Sequence, residues 1–345
     1  MRRFVHGGDV YERDVSLDFS ANVNPLGMPQ EAREALCCEA ASFERYPDPH
    51  CRELVRALAR HEDVPGAWLV PTAGASDLIM RVALALRPRE ALVTAPCYDG
   101  YLKALDLVGA RVRAHGLDPA SGLALDEGFV RAIERGCRLV VICAPHNPSG
   151  LLPDRSLVRA ACERARAVGA AVLIDQTFLG FTDEESYAPW CADFPNLVVM
   201  GAFTKLYALA GLRLGFGMCA DPALRAALVN WGCDWAVSGP AQVAGVACVR
   251  AAARGFVTDT RAVVGPARVR LRSQLQRMGM ETLPGTANFL LFRAPRPLFR
   301  DLLAHGMMVR DCSSYRGLDA RWHRCAVRLP AQNDRLVRAI EEVIR

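Results

Sequence analysis

Lysine is nearly missing from this chain of 345 residues: Lys103 and Lys205 are the two lysines among 42 basic residues, the rest being arginine. Guanidinium does not deprotonate near neutral pH, so a lysine kept in such a background is a place to look for amine chemistry. Also missing is any run of about 20 apolar residues, the length a membrane-spanning helix needs; stretches such as 139–147 and 196–203 fall far short. The opening MRRFVHGGDV carries two arginines with no apolar segment behind them. No signal peptide and a cytoplasmic location are therefore expected. No block of five or six like charges occurs, which argues against a nucleic-acid surface. Thirteen cysteines are present but no C-x-x-C pair. They read as reduced, mostly core thiols rather than as a disulfide framework or a metal site.

What is present is the balance of an ordinary globular protein, 51% hydrophobic and 23% charged, with length for about two domains. The net charge of +5 suits anionic ligands. Strand-like runs at 91–96, 110–115, 138–145, 170–176, 196–203 and 213–220 are rich in Val, Ile and Leu. They alternate with amphipathic helical segments at 98–108, 126–135 and 155–168. That alternation predicts an α/β fold with a doubly wound, mostly parallel sheet covered on both faces, and ligands beyond the carboxyl ends of its strands. After about residue 235 the pattern becomes α+β. Helices are expected at 239–252 and 261–278, strands at 288–293, 307–311 and 325–329, and a closing helix from about Asn333. The expected division is an arm (1–35) joining a small domain, a large domain (36–235) and the small C-terminal domain (236–345).

Chemistry-bearing residues follow the strands in turn. Lys205, in AFTKLYALAGLRLGF, lies just past one strand; it could form a Schiff base with an aldehyde cofactor while Thr204 and Arg213 hold a phosphate, or be a surface lysine. Asp175 closes AAVLID, placed to pair with a protonated ring nitrogen or to cap a helix. Asn147, in APHNPSGLLP, could donate to a phenolic oxygen or simply build a turn. TAGASD (72–77), ahead of a helix, offers Ala75 and Ser76 as a phosphate cradle. Tyr98, in APCYDGY, could stack on an aromatic ring.

Taken jointly, the order loop, aromatic, Asn, Asp, Lys, Arg resembles the fold-type I pyridoxal phosphate enzymes of the aspartate aminotransferase superfamily, across nearly the whole chain. The segments HGGDVYE (6–12), LDFSANVNPLGMP (17–29), ERYPD (44–48) and RGLDARWHRCAVRLPAQNDRL (316–336) look like the threonine-phosphate decarboxylase group, a branch of the histidinol-phosphate aminotransferase-like family. Phe178, where aminotransferases carry a tyrosine, fits the decarboxylase branch better. The resemblance implies pyridoxal 5'-phosphate as cofactor and a phosphorylated amino acid as substrate. It also implies a homodimer, and no metal, nucleic-acid or membrane partner. Lys205 would bind the cofactor covalently and shuttle a proton. Asp175 would hold the ring nitrogen, Asn147 the phenolic oxygen and Tyr98 the ring face. Ala75, Ser76, Thr204 and Arg213 would bind the cofactor phosphate, and Tyr46 would reach the phosphate in the partner's site. Arg324 would clamp the substrate carboxylate, while Arg328, His6 and Asn22 gather around the substrate phosphate. Arg324 and Arg328 alternate with Ala326 along the expected last strand and so would share a face.

The implied reaction is decarboxylation of L-threonine O-3-phosphate to (R)-1-amino-2-propanol O-2-phosphate for cobalamin. The alternatives are a histidinol-phosphate-type aminotransferase and a decarboxylase of another phosphorylated amino acid. Which bond stands perpendicular to the cofactor ring decides between these outcomes. Several positions depart from the family pattern. His146 stands where a first asparagine is common, Ala202 replaces a serine, and Gln176 and Thr177 replace Glu-Ala. Ser238 replaces an asparagine, and TAGASD lacks a first glycine.

Overall fold

The computed structural model describes residues 7–345. Thirteen short strands run along the described chain. The first eight are β1 (Leu17–Asp18), β2 (Leu69–Thr72), β3 (Glu90–Ala95), β4 (Arg111–Gly116), β5 (Leu139–Cys143), β6 (Ala171–Asp175), β7 (Leu197–Ala202) and β8 (Gly215–Met218). Five more follow: β9 (Glu281–Thr282), β10 (Phe289–Arg293), β11 (Met307–Met308), β12 (Arg310–Asp311) and β13 (Trp322–Ala326). Seven of them form the main sheet in the order β2-β8-β7-β6-β5-β3-β4. All point the same way except β8, which is antiparallel to both neighbours.

The centre of this sheet is buried on both sides, and its side chains divide with the two-residue period of a strand. Leu92, Val140, Ile142, Val172, Ile174 and Val199 face one core, shared with the helices Arg52–Glu62, Arg155–Val168 and Gly239–Ala253. Ala91, Val93, Leu139, Val141, Leu173 and Val198 face the other, shared with the helices Ala75–Leu86 and Asp99–Leu107. Burial on both faces is why these strands are continuous apolar runs rather than alternating ones. The predicted α/β architecture is therefore observed.

Local differences have local causes. β2 escapes the sequence reading because it is four residues long and contains Pro71; as an edge strand it tolerates a residue that cannot donate to the ladder. The helix expected at 126–135 is only Glu127–Arg131, begun by Asp126, whose carboxylate accepts from the Phe129 amide. The helix expected from 261 starts at Phe256 and runs to Arg277 through Pro266. The strand expected at 307–311 is two. β11 pairs in parallel with β1, and after Val309 the chain changes sheets so that β12 pairs with β13. The last strand lies at 322–326 rather than 325–329, because Leu329 caps and Pro330 opens the closing helix Pro330–Ile344.

A second sheet, ordered β12-β13-β10-β9, packs through Leu290, Phe292 and Cys325 against the helices Phe256–Arg277 and Pro330–Ile344. The N-terminal segment is tied to it: Phe19 accepts from the Ala326 amide at 2.7 Å and donates to Met308 at 2.7 Å. None of the thirteen cysteines is in a disulfide, and the ten that are buried serve as small apolar fillers. Among the described residues no helix is long and apolar enough to cross a membrane. Nor does any group of His, Cys, Asp or Glu among them form a metal site.

Candidate active site

One edge of the main sheet collects the polar chemistry. β6 ends on Asp175 and β7 two residues before Thr204, while Asn147 and Tyr98 sit in the loops after β5 and β3. Ala75 and Ser76 open the helix that follows β2, and Arg213 precedes the reversed strand β8, whose start lies at the same edge. From the opposite side come Asn22 and, on β13, Arg324. Together with Lys205, which follows Thr204, these make ten of the thirteen residues expected from sequence, and all ten line one cavity of about 180 Å³. Three do not. Tyr46 is 81% exposed, outside its own chain's cavity, with its ring 4.7 Å from that of Trp235. Arg328 lies past the end of β13 and donates to the Asp18 carbonyl at 2.6 and 3.1 Å, so it does not share the cavity with Arg324 as expected. His6 lies outside the described residues.

The phosphate end is built on close backbone approach. Gly74 has φ +90°, and a Cβ there would sit 3.0 Å from Nη2 of Arg213; a Cβ on Gly215 would meet the Gly74 carbonyl carbon at 2.7 Å. Glycine is required at both for the guanidinium to lie over the first turn of the helix Ala75–Leu86. Arg213 itself holds φ +59°, a strained value for a residue with a Cβ, and donates to the Ala210 carbonyl at 3.0 Å. Free amides at a helix start, the hydroxyls of Ser76 and Thr204, and this guanidinium make a donor set for one phosphate.

The remaining walls are set by charge and burial. Burial, and then the positive charges of Arg324 and Arg213, pull the Lys205 amine down to about 8. Asp175 is pushed up by burial, while hydrogen bonds from the Thr177 amide (2.9 Å) and the Tyr101 hydroxyl (2.5 Å) act against that push. Arg324 donates to Asn147 Oδ1 at 2.5 Å and to the Ser20 carbonyl at 3.1 Å, and its buried Nε has no partner. Directly across the β12–β13 ladder from it stands Arg310, also lining the cavity and also buried. Like charges opposite each other on adjacent strands are destabilising, more so out of water. An anion between them removes that cost.

Sequence reasoning missed Arg310 because MMVRD reads as one strand with no alternation to mark a face. It missed Tyr101 as well, which the three-residue spacing from Tyr98 could have revealed. Four of the positions noted above are placed by their contacts: His146, Gln176, Thr177 and Ser238. His146 is buried, with Nε2 3.0 Å from the Pro96 carbonyl and Nδ1 2.8 Å from Ser149 Oγ. Since a carbonyl only accepts, Nε2 carries the proton and Nδ1 accepts from Ser149. Gln176 turns away from the cavity, donating to Ser186 Oγ at 2.9 Å and accepting from the Tyr187 amide at 3.0 Å. Thr177 lines the cavity with an unpartnered, buried hydroxyl. Phe178 packs edge-on against Phe289, and Ser238 caps the helix Gly239–Ala253.

A main sheet with a lysine, a strand-end aspartate and several guanidiniums at its edge defines a member of the aminotransferase class I and II family. The chain belongs to that family, whose model matches residues 15–340. Among characterised relatives it is 35% identical to threonine-phosphate decarboxylase of Salmonella typhimurium, over 98% of this chain and 96% of that protein. It is 32% identical to histidinol-phosphate aminotransferase of Symbiobacterium thermophilum, over 100% of this chain and 96% of that one. Histidinol-phosphate aminotransferase from Sinorhizobium meliloti, solved in complex with pyridoxal-5'-phosphate, shares the fold with a TM-score of 0.87. It is 22% identical and covers 99% of this chain and 95% of that one.

Proposed function

We propose that this protein is a cytoplasmic pyridoxal 5'-phosphate enzyme that decarboxylates L-threonine O-3-phosphate to (R)-1-amino-2-propanol O-2-phosphate, a linker for cobalamin. The observation that carries the reading is that three guanidiniums, Arg213, Arg310 and Arg324, face one cavity together with the amine of Lys205. Three anion sites suit a cofactor phosphate, a substrate carboxylate and a substrate phosphate. The residues present fit the cofactor: the glycine-cleared cradle at Gly74 would take its phosphate, the Asp175 carboxylate would hold its ring nitrogen and the Tyr98 ring would cover its face. When bound, the cofactor supplies an aldehyde carbon for amines and a ring that accepts the electron pair released at the substrate α-carbon.

The chain's own residues do the rest. Lys205, held near 8, presents an unprotonated amine in about a tenth of molecules at pH 7, far more than an ordinary lysine does, as nucleophile first and then as the group that carries the proton. Arg324, oriented by Asn147 and the Ser20 carbonyl, holds the carboxylate. Arg310 takes the phosphate, in the role the sequence reading assigned to Arg328. Asn22, whose buried Oδ1 has no partner, offers an acceptor at the substrate end. Exposed Tyr46, its ring tilted against that of Trp235, is proposed to reach the partner's cofactor phosphate in a homodimer.

The same residue set supports transamination, and the full-length similarity to histidinol-phosphate aminotransferase favours that as the second reading. One assay separates the two. Carbon dioxide released from L-threonine O-3-phosphate with sustained turnover and no keto product supports the decarboxylase. A stoichiometric conversion to pyridoxamine phosphate, reversed by a keto acid, replaces it with the aminotransferase.

A further inference from the structure

Asp99 occupies a place that none of these roles uses. It is the first residue of the helix Asp99–Leu107, where a carboxylate ordinarily sits in solvent against the helix dipole. Here it is 6% exposed and lines the cavity; it and Asp175 are the carboxylates of that wall among the described residues. Its Oδ2 lies 3.7 Å from Nη2 of Arg310, and both side chains are more than nine-tenths buried. The same guanidinium donates to Ser314 Oγ at 3.0 Å and stands over the Tyr315 ring at 5.4 Å. Arg310 is thus held in place by neighbours, one of which is an acid facing the ligand's space.

A phosphate monoester loses its second proton near pH 6, so at neutral pH it arrives mostly as a dianion. Placed against Arg310, a dianion meets the Asp99 carboxylate in a site with little water, and two anions sharing such a site retain a proton between them. We propose that Asp99 is a specificity-determining residue that takes the substrate phosphate through one shared proton: Arg310 donates to the phosphate while a single proton bridges a phosphate oxygen and the Asp99 carboxylate. Binding the dianion then draws one proton from solvent, no bond being made or broken beyond that transfer. This rests on the phosphorylated-substrate reading above. The other charged or titratable groups lining the cavity are Arg324 opposite Arg310, Arg213, Tyr315, Tyr98, Lys205 and Asp175. No histidine lines the cavity among the described residues. His6, outside them, could take up a proton of its own on phosphate binding, so the count is read as a difference between wild type and variant.

The test is calorimetric titration of the holoenzyme at pH 8 with 3-(phosphonooxy)butanoate, the amine-free analogue, in buffers of different ionisation enthalpy. The expected result is that Asp99→Asn takes up about one proton fewer than wild type, while Asp99→Glu keeps the wild-type count. Between pH 7 and 9 the wild-type Kd rises about tenfold more per unit than that of Asp99→Asn. Equal counts in wild type and Asp99→Asn overturn the proposal, and so does a wild-type count of zero, whatever the variants do. Tight binding of the phosphorylated analogue with no proton uptake overturns the role of Asp99 and leaves the phosphate reading standing. Equal affinity for 3-hydroxybutanoate and its phosphate ester removes both.

Discussion

The Tyr101 hydroxyl donates to Asp175 Oδ2 at 2.5 Å, from one turn beyond Tyr98 on the far side of the cavity wall. The phenol is itself buried and shifted upward, by burial first and then by the nearby Asp175 charge, so it stays a donor across the working pH range. Its effect is to stabilise a carboxylate that burial alone would neutralise. Tyr101→Phe leaves the ring packing intact and removes that donor. Asp175 should then hold a ring proton less firmly, with kcat falling about tenfold, the equivalent of one charge-assisted hydrogen bond. The pH at which the bound cofactor's absorbance titrates should move, while Tm changes little. An unmoved titration together with an unchanged kcat would show that Tyr101 is only core.

Lys205 makes two predictions through its lowered pKa. Lys205→Ala should abolish the visible absorbance of covalently held pyridoxal phosphate, and an unchanged spectrum would remove the cofactor assignment. The second prediction concerns the cofactor-free protein. A lysine whose folded value is near 8 and whose unfolded value is near 10.5 is penalised fully below pH 8, where both states are protonated. The penalty is relieved as pH rises from 8 to 10.5. Relative to Lys205→Met, wild type should gain up to about 3 kcal/mol across that window in denaturant unfolding. A difference that stays constant across those pH values would contradict the shift.

Arg310 and Arg328 separate recognition from stability. Arg310→Met should raise KM for a phosphorylated substrate roughly tenfold to a hundredfold, as expected for losing charge-assisted bonds. Its effect on a non-phosphorylated amino acid should be small. Arg328→Met should do the reverse: its two bonds go to the Asp18 carbonyl, so stability falls by about 1–3 kcal/mol and KM barely moves. Paired steady-state kinetics and melting curves on the two variants decide it. The opposite pattern would return the phosphate to Arg328.

What the sequence displayed of this site is what lies on the ends of buried strands. Asp175, Asn147 and Lys205 were visible because each follows a run whose side chains are buried on both faces, and such runs declare themselves by composition. β2 did not, since four residues with a proline at an edge carry no periodic signal. Arg328 was misjudged for a related reason. Period-two alternation extends indefinitely on paper, whereas the strand stops at Ala326 because Pro330 begins a helix. Arg310 depended on a sheet change at Val309 that is set by pairing with β1 and β13, segments distant in sequence. Pairing between remote segments is the part of this fold that no local pattern encodes.

Two buried histidines predict the acid limb of stability. Burial holds His146 and His323 near 4, each below an unfolded value of about 6.5. Above pH 6.5 both are neutral in either state and contribute no pH dependence. As pH falls from 6.5 to 4 the unfolded chain gains protons that the folded one refuses, so stability is lost across that interval and levels off below it. Each histidine accounts for about 3 kcal/mol of that loss. The two are not equivalent once protonated. His146 keeps its Pro96 acceptor, and the Ser149 hydroxyl can turn to accept. His323 Nε2 accepts from the Leu298 amide at 3.1 Å, and its buried Nδ1 has no partner, so a second ring proton would face an N–H. His146→Asn and His323→Asn should each flatten the stability profile between pH 4 and 6.5 by similar amounts, since both rings refuse the proton across that window. Equilibrium unfolding at half-unit steps of pH checks this, and slopes equal to wild type in both variants would refute it.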